Sequence, residues 1–280
     1  MKVKFKLKFL CLIMFLFATE VYAQDSLSVW GEAAAAFGVE GHQPHWIGHN
    51  RNGILNPNQS GSYLRAGGNN YFLKNKHFSI NGVFDAVLLN RLNQSYLHQW
   101  YLNLNVYGID IFAGRKQLEN QWFPESLSTG NLFISNNARP IPRIGAGIFE
   151  FTPVPFTKGY ILVKGGLMHS WWNNQDRYID NVQYHEKFAY IKTGNLPVNP
   201  YVGMNHNVIY GGITPGGDEI PAEFWTIFFV DRAENSPVGG ENVNAAGAHF
   251  GLFDVGFDTE IGNNAFKFYF QKPITSKAGY

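Results

Sequence analysis

Between Leu167 and Lys187 the chain reads LMHSWWNNQDRYIDNVQYHEK, which gathers His169, Trp171, Trp172, Asn173, Asn174, Asp176, Arg177, Tyr178, Asp180, His185 and Glu186 in one span. Flat aromatic rings stack on the apolar faces of pyranoses, and amide, carboxylate and guanidinium groups pair with their hydroxyls, so this is the composition of a sugar-binding surface. A plainer reading stays open beside it. Trp171 and Trp172 suit the aromatic belt of a membrane protein, with Asp176 and Arg177 solvating a loop. A second stretch, SNNARPIPRIG (135–145), sets Arg139 and Arg143 beside Pro140 and Pro142. Proline fixes φ and removes a backbone donor, so the stretch reads as a rigid, extended lead-in to a strand. An even separation in extended chain keeps both arginines on one face, about 13 Å apart. There they would meet inward carboxylates such as Asp254 or Asp258, or acidic groups on a glycan.

Other chemistries find less support. His42, His45 and His49 in GHQPHWIGHN have spacings that would converge on a helix, but Gly41, Pro44 and Gly48 argue against a helix there, so no metal site is expected. No HExxH, GxSxG, P-loop or GxGxxG pattern occurs. The acidic pairs Asp218/Glu219 and Asp258/Glu260 could form a glycosidase dyad, but such residues on strands and loops usually line a surface. The expectation is a protein without catalysis and without a cofactor.

The elements that must hold these residues are strands. In LHQWYLNLNVYGIDIFAG (97–114), His98, Trp100, Leu102, Leu104 and Val106 fall on one face, and Gln99, Tyr101, Asn103 and Asn105 on the other. Phe253, Val255, Phe257 and Ile261 oppose Asp254, Asp258 and Glu260 in the same way, and Phe266, Phe268 and Phe270 oppose Lys267 and Gln271. Similar alternation near 28–37, 61–73, 77–90, 143–152, 159–172, 186–193, 200–212 and 224–230 brings the count to about eleven strands, separated by Gly, Asn and Pro.

The N-terminus fixes the compartment. MKVKFKLK supplies a basic region, FLCLIMFLFA an apolar run, and Val21-Tyr22-Ala23 a small-residue cleavage site, so residues 1–23 are expected to be a signal peptide and 24–280 one mature domain. A membrane anchor is the alternative, but the run is too short for a hydrocarbon core of about 30 Å. Cys11, the one cysteine, lies inside that run. Only 15% of residues are charged, 16% are aromatic, and the net charge is +1, which argues against a nucleic-acid partner. Long alternating strands in a low-charge, aromatic-rich exported chain predict an all-β fold, an antiparallel transmembrane β-barrel of the outer membrane. A soluble sandwich or lipocalin-like barrel gives the same alternation with its faces inverted.

Four segments carry a resemblance: SNNARPIPRIG, GGLMHSWWNNQDRYIDNVQYHEKFAYIKTG, YVGMNHNVIYGG and SPVGGENVNAAGAHFGLFDVGFD. In their order and spacing they resemble the capsule assembly proteins of the Wzi type, in the form found in Bacteroidetes, from about Ser60 to the end. The resemblance implies an outer-membrane β-barrel that binds capsular or related surface polysaccharide non-covalently, a lectin-like role, with outer-membrane lipid and the polysaccharide as partners. It also implies that ARPIPR shapes the barrel interior or rim. The candidate ligand-binding residues are Arg139, Arg143, Trp171, Trp172, Asp176, Arg177, Tyr178, His185 and Glu186. Members of that family are longer and have more strands. The barrel is therefore expected to be incomplete in this chain, truncated at its C-terminus, with strand 265–272 unpartnered on one side and little room for the periplasmic helical part of enterobacterial members. A porin-like channel without a specific ligand is the alternative function, followed by an envelope enzyme acting on glycans.

Overall fold

The computed structural model describes residues 27–37, 51–55, 61–118, 137–172, 182–214, 216–231 and 246–274. The expected signal peptide, the three histidines at 42, 45 and 49, and Asp176, Arg177 and Tyr178 lie outside the described residues. The fold is all-β, a single sheet of eleven antiparallel strands in which each strand pairs with its sequence neighbours. The strands are β1 (Leu27–Ala36), β2 (Gly61–Lys74), β3 (Phe78–Leu89), β4 (Tyr96–Val106), β5 (Ile109–Arg115), β6 (Pro142–Pro153), β7 (Ile161–Trp172), β8 (Val182–Thr193), β9 (Val198–Gly211), β10 (Ala248–Ile261) and β11 (Asn264–Ile274). One short helix, α1 (Phe224–Phe228), interrupts the connection from β9 to β10. Among the described residues β1 and β11 are the two edges of the sheet, and β11 pairs with β10 alone. This is the one-sided pairing expected for 265–272, and the sheet is not closed into a barrel.

The count of eleven agrees with the sequence, but two of its members change. Segment 97–114 is two strands, because Tyr107 and Gly108 both take positive φ (51° and 88°) and join Val106 to Ile109 as a two-residue hairpin loop. Segment 224–230 is the helix α1 and not a strand. Its apolar run is too short for periodicity to decide, and β9 and β10 already pair with each other.

The connections alternate in length. Residues 75–77, 107–108, 154–160, 194–197 and 262–263 join strands at one end of the sheet. Residues 37–60, 90–95, 116–141, 173–181 and 212–247 join them at the other. In an up-and-down meander every second connection returns to the same end, so the longer connections all leave and re-enter the sheet at one rim.

A bulge resets the alternation in β4. Asp85 pairs with Gln99 and Ala86 with Leu97, which leaves His98 as the extra residue. Leu97 and Trp100 therefore stay exposed while His98 is turned to the opposite face and is fully buried, edge-on to Tyr96 with ring centroids 6.1 Å apart. The expectation that His98 shares a face with Trp100 fails for this reason. Bulges between β2 and β3, at Tyr71/Leu73, and between β6 and β7, at Ile148/Thr152, shift register in the same way.

Candidate functional site

Partners across a ladder share a face, so the register sorts side chains on the whole sheet. One face carries Leu64, Phe84, Leu102, Ile111, Ile144, Leu167, Ile191 and Phe270, all among the exposed large hydrophobics, with Leu102 at 59% and Phe270 at 63%. The other carries most of the charge, and it is covered. Asp85 and Glu186 are fully buried and Asp254 is 2% exposed. A water-soluble sheet exposes charges and covers leucines. Here large hydrophobics stand exposed on one face, and the carboxylates are covered on the other beside Phe112, Met168 and Phe188.

The covered face is tied together by hydrogen bonds. Arg65 grips Asp85 with two nitrogens, Nε at 3.0 Å and Nη2 at 2.7 Å, and Gln99 adds a third donor at 3.2 Å. Tyr63 donates to Glu32 at 2.5 Å. Asn103 and Asn105 both donate to Asp110, at 2.8 and 2.9 Å. Farther along, Tyr201 and Gln271 converge on Asp254 at 3.0 and 3.2 Å. Lys192 pairs with Asp258 at 2.5 Å, reaching over β9. Gly203 makes space on this face, since a Cβ there would lie 2.0 Å from the Tyr190 ring.

Arg143 belongs to this face. β6 opens at Pro142, a position where a missing N–H costs no ladder bond, and the residue after it extends over β7 to reach Glu186 on β8, Nη1 to Oε2 at 3.2 Å, passing Met168 Sδ at 3.4 Å. Neither Asp254 nor Asp258 is its partner, contrary to the expectation from sequence. Those carboxylates lie on β10 and are engaged by Tyr201, Gln271 and Lys192. Arg139 sits outside β6, at the rim with the longer connections. Its Nε donates to the Gly53 carbonyl at 2.8 Å, and its guanidinium lies 4.2 Å from the centre of the Tyr96 ring. Gly53 in turn donates to Asn137 at 2.8 Å, which fastens the 51–55 turn to the ARPIPR stretch. The two arginines are thus separated in role: one is buried in an ion pair and one exposed at the rim.

Strand alternation splits the aromatic and polar cluster of 167–187. Glu186 is on the covered face, where Tyr184 donates to Asn207 beside it at 2.6 Å. His185, one residue earlier, points the other way and pairs across the ladder with His169. Trp171 lies on that apolar face, 56% exposed and edge-on to His169 at 4.5 Å. Trp172 ends β7. The structure therefore brings Arg143 and Glu186 together, places His185 and Trp171 on the opposite side, and leaves Arg139 apart from both groups.

Sequence reasoning missed two features. The first is the row of tyrosine and asparagine on the covered face, Tyr184, Asn205 and Asn207, for which the alternation of NHN at 205–207 was the available signal. The second is α1. It lies on the apolar face, where Ile227 packs with Val208, Tyr210 and Ala246 and Lys187 donates to the Phe228 carbonyl, capping the last turn. Phe224 stands 5.3 Å from His185 and 6.4 Å from His169, centre to centre.

No protein-family model matches this chain, and no curated protein matches it.

Proposed function

We propose that the chain forms the wall of an outer-membrane β-barrel that binds capsular or related surface polysaccharide non-covalently and helps assemble or retain it at the cell surface. The observation that carries the membrane half is the contrast between faces: large hydrophobics exposed along one, and Asp85, Glu186 and Asp254 buried on the other against arginine, tyrosine and amides. Lipid suits the first face and an aqueous or polar interior the second. No helix among the described residues is long and apolar enough to cross a membrane; the strands are the crossing elements in this reading. Short turns at one rim and longer connections at the other match the periplasmic and extracellular ends of such barrels. Cleavage after Ala23 would deliver the chain to the envelope. An open edge is not tolerated in lipid, so β1 and β11 would each meet a further strand there.

The polysaccharide half rests on the four segments that resemble the Wzi-type proteins, and on chemistry at the rim with the longer connections. Arg139 stacks on Tyr96 there with its guanidinium exposed, a pairing suited to an acidic sugar. The role is binding, with no covalent step.

The test is a fractionation followed by a binding measurement. The full chain should appear in the outer-membrane fraction, begin at Gln24, and, once purified in detergent, bind capsular polysaccharide saturably. Arg139→Gln should weaken that binding while the strand content is unchanged. Recovery in the soluble fraction would remove the membrane half. Ion conductance that polysaccharide neither blocks nor alters, with no saturable binding, would assign the porin-like channel instead.

A further inference from the structure

The apolar face is not uniformly flat. Two neighbouring cross-strand rows run over it: Leu102, Ala113, Ile144, His169 and His185 in one, and Ile80, Leu104, Ile111, Ala146 and Leu167 in the other. The small side chains of Ala113 and Ala146 lie low between larger ones, and the result is a groove of about 870 Å³. Its floor is aliphatic from β4 to β7. At β7 to β9 the chemistry changes, and His169, Gln183, His185 and Tyr210 line the end of the groove beside Phe224 of α1. From Leu102 to His185 is four interstrand steps, about 19 Å.

The polar end is unusual. His185 is 2% exposed and Tyr210 is 3% exposed, yet among the described residues the ring nitrogens of His185, Nδ1 of His169 and the Tyr210 hydroxyl have no well-formed hydrogen bond. Buried polar groups are seldom left this way. Lys187 stands in the adjoining row, its ring neighbour Phe228 at 3.9 Å. Among the described residues no aspartate or glutamate lines the groove. Donors and a nearby cation without a carboxylate favour an anionic head, and the aliphatic floor favours a chain.

We infer that this groove is a binding site for a single long acyl or alkyl chain carrying an anionic head, a carboxylate or a phosphate. The chain lies over Ala113 and Ala146, and the head takes hydrogen bonds from His169, His185 and Tyr210 under the edge of α1. The site differs from any polysaccharide surface, and it does not depend on that reading. It is a place for one ordered lipid; the neighbouring groove on this face, over Gly67, Gly82 and Phe84, lacks His169, His185 and Tyr210.

Native mass spectrometry of the purified full chain in detergent tests this with three probes of equal chain length: hexadecanoate, hexadecyl phosphate and hexadecanol. At least one anionic probe should bind one per chain, at least tenfold more tightly than the alcohol. Preference between carboxylate and phosphate would then identify the head. Ala113→Phe, on an exposed position of β5, should fill the floor and reduce binding of the anionic probes at least tenfold with circular dichroism unchanged. His185→Leu together with Tyr210→Phe should abolish the preference for anion over alcohol. Equal binding of all three probes, or binding unaffected by Ala113→Phe, would overturn the inference. So would a dimer that Ala113→Phe converts to monomer, which would assign the groove to a second copy of the chain.

Discussion

Breaking the Arg143–Glu186 pair should be among the most damaging conservative changes in the sheet. The side chains are 10% and 0% exposed and 3.2 Å apart. At an effective dielectric of about 20 the attraction is on the order of 5 kcal/mol, and most of it offsets the desolvation of two ions. Replacing one partner removes the attraction and leaves the desolvation, so Arg143→Gln or Glu186→Gln should each lose about 3 to 5 kcal/mol of stability. The double variant leaves no stranded charge and should recover most of that loss. Urea unfolding of the protein in detergent micelles, followed by tryptophan fluorescence, gives the four corners of a double-mutant cycle. A coupling of about 3 kcal/mol is expected. Single substitutions that each cost less than about 1 kcal/mol, or costs that merely add, would mean that water reaches the pair and that this face is not closed around it.

Three further outcomes follow from the geometry. A variant that keeps Trp171 and replaces the other six of the seven tryptophans by phenylalanine should be quenched by lipids with brominated acyl chains; quenching by aqueous iodide alone would remove the apolar face from lipid. Gly108→Ala, at φ +88° with open space around it, should cost about 1 to 2 kcal/mol. Gly114→Ala, at φ +126° with its Cβ 2.2 Å from the Trp100 carbonyl oxygen, should add an overpacking cost of about 1 to 3 kcal/mol; equal unfolding midpoints for the two would contradict the packing. Arg139→Ala removes an exposed cation over Tyr96 and should change stability by only about 0.5 to 1 kcal/mol, so a large loss in the same urea titration would show that the rim contact holds the fold.

The strands were legible wherever their alternation was unbroken. Trp100, Leu102, Leu104 and Val106 share the face that their spacing assigns. His98 does not, because the bulge beside it exists only in register with Asp85 on β3, and no local pattern in β4 announces it. The turn at Tyr107-Gly108 was hidden for a related reason: a non-glycine residue at positive φ interrupts the chain without interrupting its hydrophobic rhythm. The lead-in role of ARPIPR was legible from proline chemistry, and β6 does begin at Pro142. The partner of Arg143 was not. It lies two strands away, and which residue stands opposite depends on the shift at Ile148/Thr152 and on the length of the β7–β8 connection. The sugar-binding look of 167–187 came from reading a strand as a surface; alternation sends half of those side chains to each face.

Among the described residues two ion pairs skip a strand, and this has a consequence for the order in which the sheet can assemble. Arg143 on β6 reaches Glu186 on β8 over β7, and Lys192 on β8 reaches Asp258 on β10 over β9. Neither can close when one hairpin docks. Each needs three consecutive strands in register, and β8 belongs to both. Until β8 arrives, Arg143 has no carboxylate in its ladder neighbour β7, which carries Met168 and Ser170 at the facing positions. After β8 arrives, β7 is strapped beneath one pair, and once β10 follows, β9 is strapped beneath the other. Assembly from β6 to β10 should therefore lock in two steps, and peeling β7 or β9 out of the sheet must first release a strap. Amide exchange should then be slowest in β7 to β9, which lie inside the straps and not at the sheet's exact centre, β6.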